Sequence, residues 1–322
     1  MRIAAVSVNW NQGELTRLCV ASLIAGSRIP DWVIVVDNGS DQDPTAAVKL
    51  ASPETIVVRN SHNQGFAGGS NRGIERALSL GADAVLLVNN DALVAEGCLQ
   101  ELLAVLSSDD SLAAVGAKTL TQESPPRIHT AYGVLTYHGQ LVQQRGWMEP
   151  DLSRYNELAY VDYVSGCAML LRRSALETVG MFDEEFFAYH EDLDWCMRAR
   201  RGGYRVAYVP RALVHHRMHA STGGGYLSPI TYLSARNSVL FVRKNATRSQ
   251  QMSYAIHLIV NLVKEGIFRY RRGELAGFRL RLRGLRDGLL RRPVPLRTLG
   301  LESHAAAPSA RASQPDASTA PA

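Results

Sequence analysis

The sequence lacks several features of secreted, zinc-stabilised and membrane-spanning proteins. It contains only 4 cysteines among 322 residues, and no two of them form a C-x-x-C pair. We therefore expect reduced core cysteines of a cytosolic protein, not a disulfide framework or a zinc site. A predicted strand follows Met1 without a basic and then apolar segment, so no signal peptide is expected. No apolar run reaches the roughly 18 residues that a membrane-spanning helix needs.

Two common nucleotide-binding fingerprints are also missing. The Gly-rich stretch Asn63–Asn71 has neither the G-x-G-x-x-G spacing nor the Lys of a Walker loop. Its glycines would still let a backbone approach a ligand closely, and the helix after it would offer its N-terminus to a diphosphate. The alternative is a flexible loop in which Ser70 or Asn71 caps that helix.

The overall composition is that of a soluble globular protein, with 46% hydrophobic and 20% charged residues. The length suits one large α/β domain with an appendage, or two small domains. The net charge is +5, and most of the excess lies in residues 269–297, where ten Arg stand against Glu274 and Asp287. The C-terminal part of the chain therefore differs in character from the rest.

Short apolar runs alternate with helical patterns in the first hundred residues. Strands are predicted at residues 3–9, 32–36, 55–58 and 84–88, with helices between them. This alternation predicts an α/β fold with a mostly parallel, doubly wound (Rossmann-like) sheet and helices on both faces. Ligands of such sheets collect beyond the carboxyl ends of the strands. Residues 121–160 show little pattern, and we interpret them as an excursion that shapes a substrate pocket.

Carboxylates stand at two of the predicted strand ends. One buried strand ends in Asn89–Asn90–Asp91, and another ends at Asp37. A carboxylate such as Asp37 can accept hydrogen bonds from the amide edge of a bound base. The alternative is structural, because Asp, Asn, Gly and Ser all favour turns and helix caps.

A second group of carboxylates opens the helix predicted at residues 191–201. Glu191, Asp192 and Asp194 share one turn at its N-terminus, where the helix dipole favours ionised carboxylates. Asp194 has an i,i+4 partner, Arg198, and therefore a structural role. Asp192 and Glu191 have no such partner, and an ionised carboxylate facing a cleft is a natural general base for a hydroxyl. The alternative for Asp192 is a purely dipolar role.

Histidines cluster after the strand predicted at residues 205–209. His215, His216 and His219 precede a Gly-rich stretch, and we expect all three in a loop. One imidazole with a carboxylate from elsewhere could complete a site for Mg²⁺ or Mn²⁺. The alternative is an exposed loop side chain without a ligand.

In combination, these segments resemble the family-2 glycosyltransferases, especially the rhamnosyltransferase-like branch with a GT-A fold. The resemblance spans about residues 2–245. Its motifs are each weak, but their order and spacing make a specific match. They are Val6–Asn11, Val36–Ser40, Asn63–Gly73, Leu87–Asp91, Gly166–Leu170, Gly180–Asp183, Tyr189–Asp194, His216, Ala220–Gly223 and Ala235–Asn237.

The resemblance implies roles for particular residues. Asp91 would bind a divalent metal, Mg²⁺ or Mn²⁺, with His216 as the second protein ligand and His215 as its nearest rival. Asp192 would be the catalytic base, with Glu191 close by. The nucleotide-sugar would be held by Asn9, Asp37, Asn63, Gly65, Asn71, Asn90 and Asp91.

The implied reaction is an inverting sugar transfer. Asp192 would take the proton of an acceptor hydroxyl, which attacks the anomeric carbon from the face opposite the nucleotide. The metal would offset the charge growing on the departing diphosphate. The chain departs from the family's D-x-D metal motif, because amides occupy Asn89–Asn90 and leave Asp91 alone. The expected donor is dTDP-rhamnose, then UDP-sugars such as those of galactose or glucose, and the expected acceptor is a glycan or a polyprenyl-linked molecule.

Two other classes of protein stay open at this point. A nucleotidyltransferase usually has a Gly-rich loop with Lys or Arg after its first strand, where this chain has Asn9–Gly13. A catalytically degenerate scaffold is supported only by Asn89–Asn90.

The C-terminal segment carries an amphipathic pattern. Apolar residues recur at 3- and 4-residue steps from Leu275 to Leu289, so one helix face is apolar. This helix either docks on the core or lies on an anionic membrane surface; nucleic acid is not an expected partner. We predict a catalytic domain at 1–245, a basic helical extension at 246–300 and a disordered tail at 301–322. The expected location is the cytoplasm, at the inner face of the plasma membrane.

Overall fold

The central element of the fold is a ten-stranded mixed sheet. The structure, a computed structural model, describes residues 1–138, 140–217 and 225–302, with Gln140 described by its backbone alone. Most of the predicted tail, residues 303–322, and His219 of the predicted histidine loop lie outside the described residues.

The described strands and helices follow the predicted alternation closely in the first hundred residues. The strands are β1 (Ile3–Asn9), β2 (Trp32–Asp37), β3 (Ile56–Arg59), β4 (Ala84–Val88), β5 (Ala92–Val94), β6 (Leu112–Thr121), β7 (Ile128–Thr130), β8 (Tyr132–His138), β9 (Gln140–Arg145), β10 (Ala159–Tyr160), β11 (Ala168–Arg172) and β12 (Arg205–His216). The helices are α1 (Gly13–Ile24), α2 (Thr45–Ala51), α3 (Gly65–Ser79), α4 (Cys98–Ser108), α5 (Arg173–Val179), α6 (Glu191–Arg201), α7 (Pro229–Asn245), α8 (Arg248–Arg271) and α9 (Leu275–Leu289).

The sheet order is β10-β12-β6-β11-β4-β1-β2-β3, with β5 added beside β12 and β7 beside β6. Strands β1 to β4 are parallel to one another, as predicted. β11 runs antiparallel between β4 and β6, while β6 and β12 are parallel. β8 and β9 form a separate hairpin. The predicted α/β fold with a large, mostly parallel sheet is confirmed.

Both faces of the sheet are covered. In β1, Val6 belongs to one hydrophobic core cluster and Ala5 to the other; in β4, Leu87 and Leu86 divide in the same way. Because successive side chains of a strand point to opposite faces, an unbroken apolar run can fill both cores. The carboxyl ends of these strands are therefore held on a rigid element. All four cysteines are buried and free, as predicted.

The Gly-rich stretch is helical, which corrects the prediction of a loop through residue 71. α3 begins at Gly65 and packs closely against β1. A Cβ atom on Gly69 would lie 2.7 Å from Val8 Cγ1, and one on Gly73 would lie 2.2 Å from Val6 Cγ1. The glycines thus allow close helix–strand packing, which outweighs their low helix propensity.

The predicted amphipathic helix docks on the core. α9 packs against α7 through two glycines, where a Cβ on Gly284 would lie 2.4 Å from Tyr232 O and one on Gly288 would lie 2.3 Å from Arg236 O. Leu285 of α9 is buried as well. Of the two alternatives for this helix, the structure shows the docked one. Among the described helices, none has both the length and the hydropathy to cross a membrane.

Candidate active site

A cavity of about 810 Å³ opens beyond the carboxyl ends of β1, β2 and β4. Its other walls come from the start of α6, the end of β12 and the C-terminal helices. Seven predicted site residues line it: Asn63, Gly65, Asn90, Asp91, Glu191, Asp192 and His216. Three others, Asn9, Asp37 and Asn71, do not. The sheet thus places most of the predicted residues around one space.

Asp91 and His216 meet in this cavity. The loop after β4 leads directly into β5, which pairs with the end of β12 and sets Ala92 opposite His216. His216 Nε2 lies 3.0 Å from Asp91 Oδ1. Both side chains are largely buried, with 6% of Asp91 and 10% of His216 exposed. The two residues, which are 125 positions apart in the chain, form a single polar unit.

His215 is not the partner of Asp91. The predicted strand at residues 205–209 continues to His216, because β12 pairs with β6 as far as Thr121. Neighbouring side chains of a strand point to opposite faces. Accordingly, His215 Nδ1 lies 3.5 Å from Thr121 O and the residue does not line the cavity.

His129 is a site residue that the sequence did not reveal. β7 pairs with β6 and brings His129 against His216, with an Nδ1–Nδ1 distance of 3.2 Å and ring centroids 4.9 Å apart. Trp147 packs on its other side, with ring centroids 5.1 Å apart. His129 therefore fixes the orientation of the His216 ring. From the sequence we expected only that residues 121–160 shape the pocket, without a residue being named.

The Asp91–His216 pair offers one carboxylate oxygen and one imidazole nitrogen, and both atom types are ligands of Mg²⁺ or Mn²⁺. In this structure the two atoms lie 3.0 Å apart, which is a hydrogen-bond distance. Asn90 donates from Nδ2 to Thr16 Oγ1 at 3.2 Å and so belongs to the packing of α1. Across residues 1–138, 140–217 and 225–302, no group of three or more His, Cys, Asp or Glu side chains could hold a metal ion. Substrate oxygens and water would complete the coordination.

Asn9 and Asp37 form a buried network behind the cavity wall. Asn9 Nδ2 lies 3.2 Å from Asp37 Oδ1 and 3.0 Å from Ser40 Oγ. Arg59 Nε donates to Asp37 Oδ2 at 3.0 Å. The Asp37 side chain is fully buried. In this structure both residues hold the turn after β2 in place, beside the space where a base would lie.

Asn63 and Gly65 face the cavity, but their polar groups already have partners. Asn63 Oδ1 accepts from Asn38 Nδ2 at 3.0 Å, and Asn63 Nδ2 donates to Leu301 O at 3.0 Å. Gly65 has φ +74°, and a Cβ there would lie 2.2 Å from Phe187 O. Leu301 is buried and lines the same cavity. The predicted disordered tail therefore begins too early, because Leu301 is docked on Asn63.

Asn71 ties α3 to the segment of residues 182–184 and does not line the cavity. Its Oδ1 accepts from Phe182 N at 2.9 Å, and its Nδ2 lies 2.9 Å from both Phe182 O and Glu184 Oε1. The residue is buried in the middle of α3. The structure thus shows a structural role for Asn71, and the nucleotide-binding role that the resemblance implied stays a prediction.

The Asn71→Ala variant is expected to unfold more easily by about 2 kcal/mol while keeping its donor affinity. The reason is that the substitution leaves the buried peptide groups of Phe182 without partners. Urea unfolding would measure the free energy, and isothermal titration with nucleotide-sugar would measure affinity. Glu75→Ala serves as the control, since it truncates an exposed side chain of the same helix. A stable Asn71→Ala variant that no longer binds donor would restore the nucleotide-binding role.

Asp192 and Glu191 form an acidic pair at the start of α6, in which Glu191 is buried and Asp192 is partly exposed to the cavity. Asp192 accepts hydrogen bonds from the N–H of Gly166 at 2.9 Å and of Leu193 at 2.7 Å. Glu191 is only 4% exposed, and its Oε2 has no hydrogen-bond partner. Burial raises the pKa of both carboxyls; it raises that of Glu191 well above its usual range, with the charge of Asp192 as the second cause. The N–H bonds favour the ionised form of Asp192, whereas no donor among the described residues reaches Glu191 Oε2, so Asp192 is the carboxyl of the pair that ionises more readily.

The segment before α6 is held in an unusual conformation. Phe187, Tyr189 and His190 all have positive φ, between 63° and 74°, which costs about 1–3 kcal/mol for each such non-glycine residue. Asn237 of α7 holds the segment, because its Nδ2 lies 2.7–2.8 Å from the carbonyls of residues 186, 188 and 189. Burial lowers the pKa of His190 to about 4. His190 is therefore neutral and adds no cation beside Asp192.

Asp194, the third carboxylate in the first turn of α6, has the predicted structural role. Arg198 Nε donates to Asp194 Oδ2 at 2.8 Å, and Asn245 Nδ2 donates to Asp194 Oδ1 at 2.7 Å. This pairing ties α6 to the end of α7. Asp194 is thereby removed from the candidates for acid–base chemistry.

Comparison with solved structures identifies the fold, and it agrees with the sheet order and the position of the cavity described above. A mannosyltransferase from Pyrobaculum calidifontis, PcManGT, solved with GDP-Man and Mn²⁺, has a TM-score of 0.58 at 15% identity. The match covers 89% of this chain and 87% of that one. At this identity the similarity shows the fold alone, which is the GT-A fold of glycosyltransferases.

Sequence comparison identifies the family. The profile described as "Glycosyltransferase like family 2" matches residues 2–249, and the chain belongs to this family. An N-acetylglucosaminyl-diphospho-decaprenol L-rhamnosyltransferase of Mycobacterium tuberculosis is 28% identical over 261 residues, or 74% of this chain and 83% of the relative. The O-antigen chain rhamnosyltransferase RfbN of Salmonella typhimurium is 26% identical over 219 residues, or 67% of this chain and 66% of the relative. The protein is a glycosyltransferase with rhamnosyltransferase relatives, and a scaffold or nucleotidyltransferase reading is set aside.

Proposed function

We propose that the protein transfers rhamnose from dTDP-rhamnose to a hydroxyl of a polyprenyl-linked or glycan acceptor, with inversion at the anomeric carbon. The observation that carries this proposal is the placement of Asp192 and the Asp91–His216 pair around one cavity. The named rhamnosyltransferase relatives support the donor, and the diphospho-decaprenol acceptor in the name of one of them supports the acceptor class.

The chemistry follows from the charge states of the acidic pair. Asp192 is held by two N–H groups and accepts the proton of the acceptor hydroxyl, which then attacks the anomeric carbon. Burial raises the pKa of Glu191 well above its usual range, and in its protonated form this carboxyl would keep a second negative charge away from the base. A Mg²⁺ or Mn²⁺ ion bound at Asp91 and His216 would offset the charge on the leaving diphosphate. His129 holds His216 in the orientation in which its Nε2 faces Asp91.

The proposed acceptor class also gives a location. A polyprenyl-linked sugar resides in a membrane, so we place the protein in the cytoplasm at the inner face of the plasma membrane. Synthesis of cell-envelope polysaccharide is the process that uses such acceptors.

A panel of nucleotide-sugars tests the donor. We expect dTDP-rhamnose with Mn²⁺ to raise the melting temperature more than UDP-galactose, UDP-glucose or GDP-mannose, because a ligand at 100 times its Kd stabilises the native state by about 2.7 kcal/mol. Release of dTDP on incubation with acceptor would then be measured, with dTDP alone as the binding control. A larger effect of a UDP-sugar would replace the donor within the same enzyme class. Absence of any nucleotide-sugar effect would contradict the proposal.

A further inference from the structure

Helix α8 has two apolar faces, and its neighbours cover only one of them. Tyr254 and Leu258 face inward and line the cavity that contains Asp192. On the opposite side, seven large apolar side chains are 45–73% exposed. These are Met252, Ile256, Ile259, Val260, Val263, Ile267 and Tyr270; we call them the α8 stripe.

The spacing of the α8 stripe makes it continuous. With about 3.6 residues per turn, the seven side chains fall within an arc about 100° wide and extend along about 27 Å of the helix. Single exposed apolar residues are ordinary on protein surfaces, whereas a contiguous row marks an interaction site. The stripe therefore calls for a partner surface that is long and flat.

The charges beside the stripe point to an anionic partner. Arg248, Lys264 and Arg271 border it, and none of them forms an ion pair within the described part of the chain. The single acidic residue of α8, Glu265, lies on the inner face and bonds to Arg281 and Tyr226. A second copy of this helix would bring like charges together along the rim. An anionic lipid surface instead offers both an apolar layer and negative headgroups.

We infer that the α8 stripe docks on an anionic lipid surface, and that the cavity behind α8 receives the lipid-linked acceptor from that surface. The second part rests on the acceptor class proposed above. A helix with its side chains is about 10 Å thick, so the wall formed by Tyr254 and Leu258 lies only that far from the docked stripe. An acceptor sugar could enter the cavity while its lipid chain stays in the bilayer.

This assignment places the membrane contact on a different helix. The amphipathic pattern of residues 275–289 left membrane contact open as one of two alternatives, but α9 uses that face to pack on α7. α8 shows the weaker sequence pattern, because its inner face is apolar too. The three-dimensional packing decides which apolar face is left open.

Co-sedimentation with vesicles tests the inference directly. Wild-type protein should bind vesicles of phosphatidylcholine with about one-third phosphatidylglycerol, and bind poorly to phosphatidylcholine alone or at high salt. The Ile259→Glu/Val263→Glu double variant should bind the anionic vesicles at least about tenfold more weakly, since it places two carboxylates on the apolar surface. Its transfer to a water-soluble, short-chain acceptor should stay unchanged, which also shows that it folds.

The matched control is the Ile29→Glu/Leu50→Glu double variant, which adds the same charges at exposed apolar residues outside α8. It should bind vesicles like the wild type. Sedimentation equilibrium without lipid would reveal the competing outcome: a wild-type dimer that the α8 variant converts to a monomer, with no vesicle binding, would overturn the inference. Vesicle binding is measured without donor, so the two proposals fail separately. Wild-type protein that does not bind anionic vesicles but still transfers sugar would reject this inference and leave the proposed function standing. Wild-type protein that binds the vesicles but transfers no sugar would reject the proposed function.

Discussion

Replacing Asp192 by Asn is expected to lower kcat by about 10²–10⁴-fold, the usual contribution of a general base, while donor affinity is retained. The reason is that Asp192, which accepts two N–H hydrogen bonds, ionises more readily than Glu191 and lines the cavity. Single-turnover transfer would measure the chemical step, and isothermal titration with dTDP-rhamnose would measure binding. Full activity in this variant would remove Asp192 from the mechanism.

Glu191→Gln is the matched control for this substitution. If Glu191 is protonated in the native protein, the neutral amide is a close replacement and transfer should fall by less than about threefold, a small effect beside that of removing a base. A large loss in Glu191→Gln and a small one in Asp192→Asn would exchange the roles of the two residues. Thermal melting of both variants would show that they fold.

The pH profile gives a second measurement for the same residue. Burial raises the pKa of Asp192 above its usual value, so its proton is lost at a higher pH than that of an ordinary Asp. Activity should therefore rise with pH along an acid limb that lies above the usual Asp range, and should be lost as pH falls through it. Asp192→Asn should lack this limb.

Replacing Asp91 by Ala is expected to abolish the part of donor affinity that depends on metal, a loss of about 100-fold or more in the presence of Mn²⁺. The effect should be large because amides occupy Asn89 and Asn90, which leaves Asp91 as the one carboxylate at this strand end. His216→Ala should act in the same direction, since Nε2 of His216 lies 3.0 Å from Asp91 Oδ1. Isothermal titration with and without Mn²⁺ would measure both variants.

The control for this experiment is Asp110→Ala, which removes a carboxylate that is fully exposed. It should bind donor with the same affinity as the wild type, both in the presence and in the absence of Mn²⁺. Equal donor affinity with and without Mn²⁺ in the wild type would count against the metal, and unchanged affinity in Asp91→Ala would count against this residue as its ligand.

Local patterns were sufficient to predict the elements that carry the site. β1 and α6 have the predicted bounds, Ile3–Asn9 and Glu191–Arg201, because an apolar run and an acidic helix start are properties of neighbouring residues. The same reasoning placed Asp91 at the end of β4. It failed at the Gly-rich start of α3, where contact with β1 and not intrinsic propensity determines the structure.

Long-range contacts account for what the sequence did not predict. His129 reaches His216 only because β7 pairs with β6, and Leu301 reaches Asn63 across 238 residues. Neither contact produces a periodic pattern in a short stretch of the sequence, so neither could be predicted from local patterns. The open face of α8 was missed for a related reason: an amphipathic pattern shows that a face is apolar, but not which neighbour covers it.

The position of Leu301 bears on how proteins of this family are compared and produced. The family match ends at residue 249, yet Tyr254, Arg281 and Leu301 line the same cavity as the residues within that match. A shortened chain that stops at residue 249 would lack these lining residues, so its cavity would be open to solvent on the side that they close in the longer chain. Relatives with C-terminal segments of different length would then enclose the substrate to different degrees. Their kinetic constants would not be directly comparable, even where every motif residue is identical.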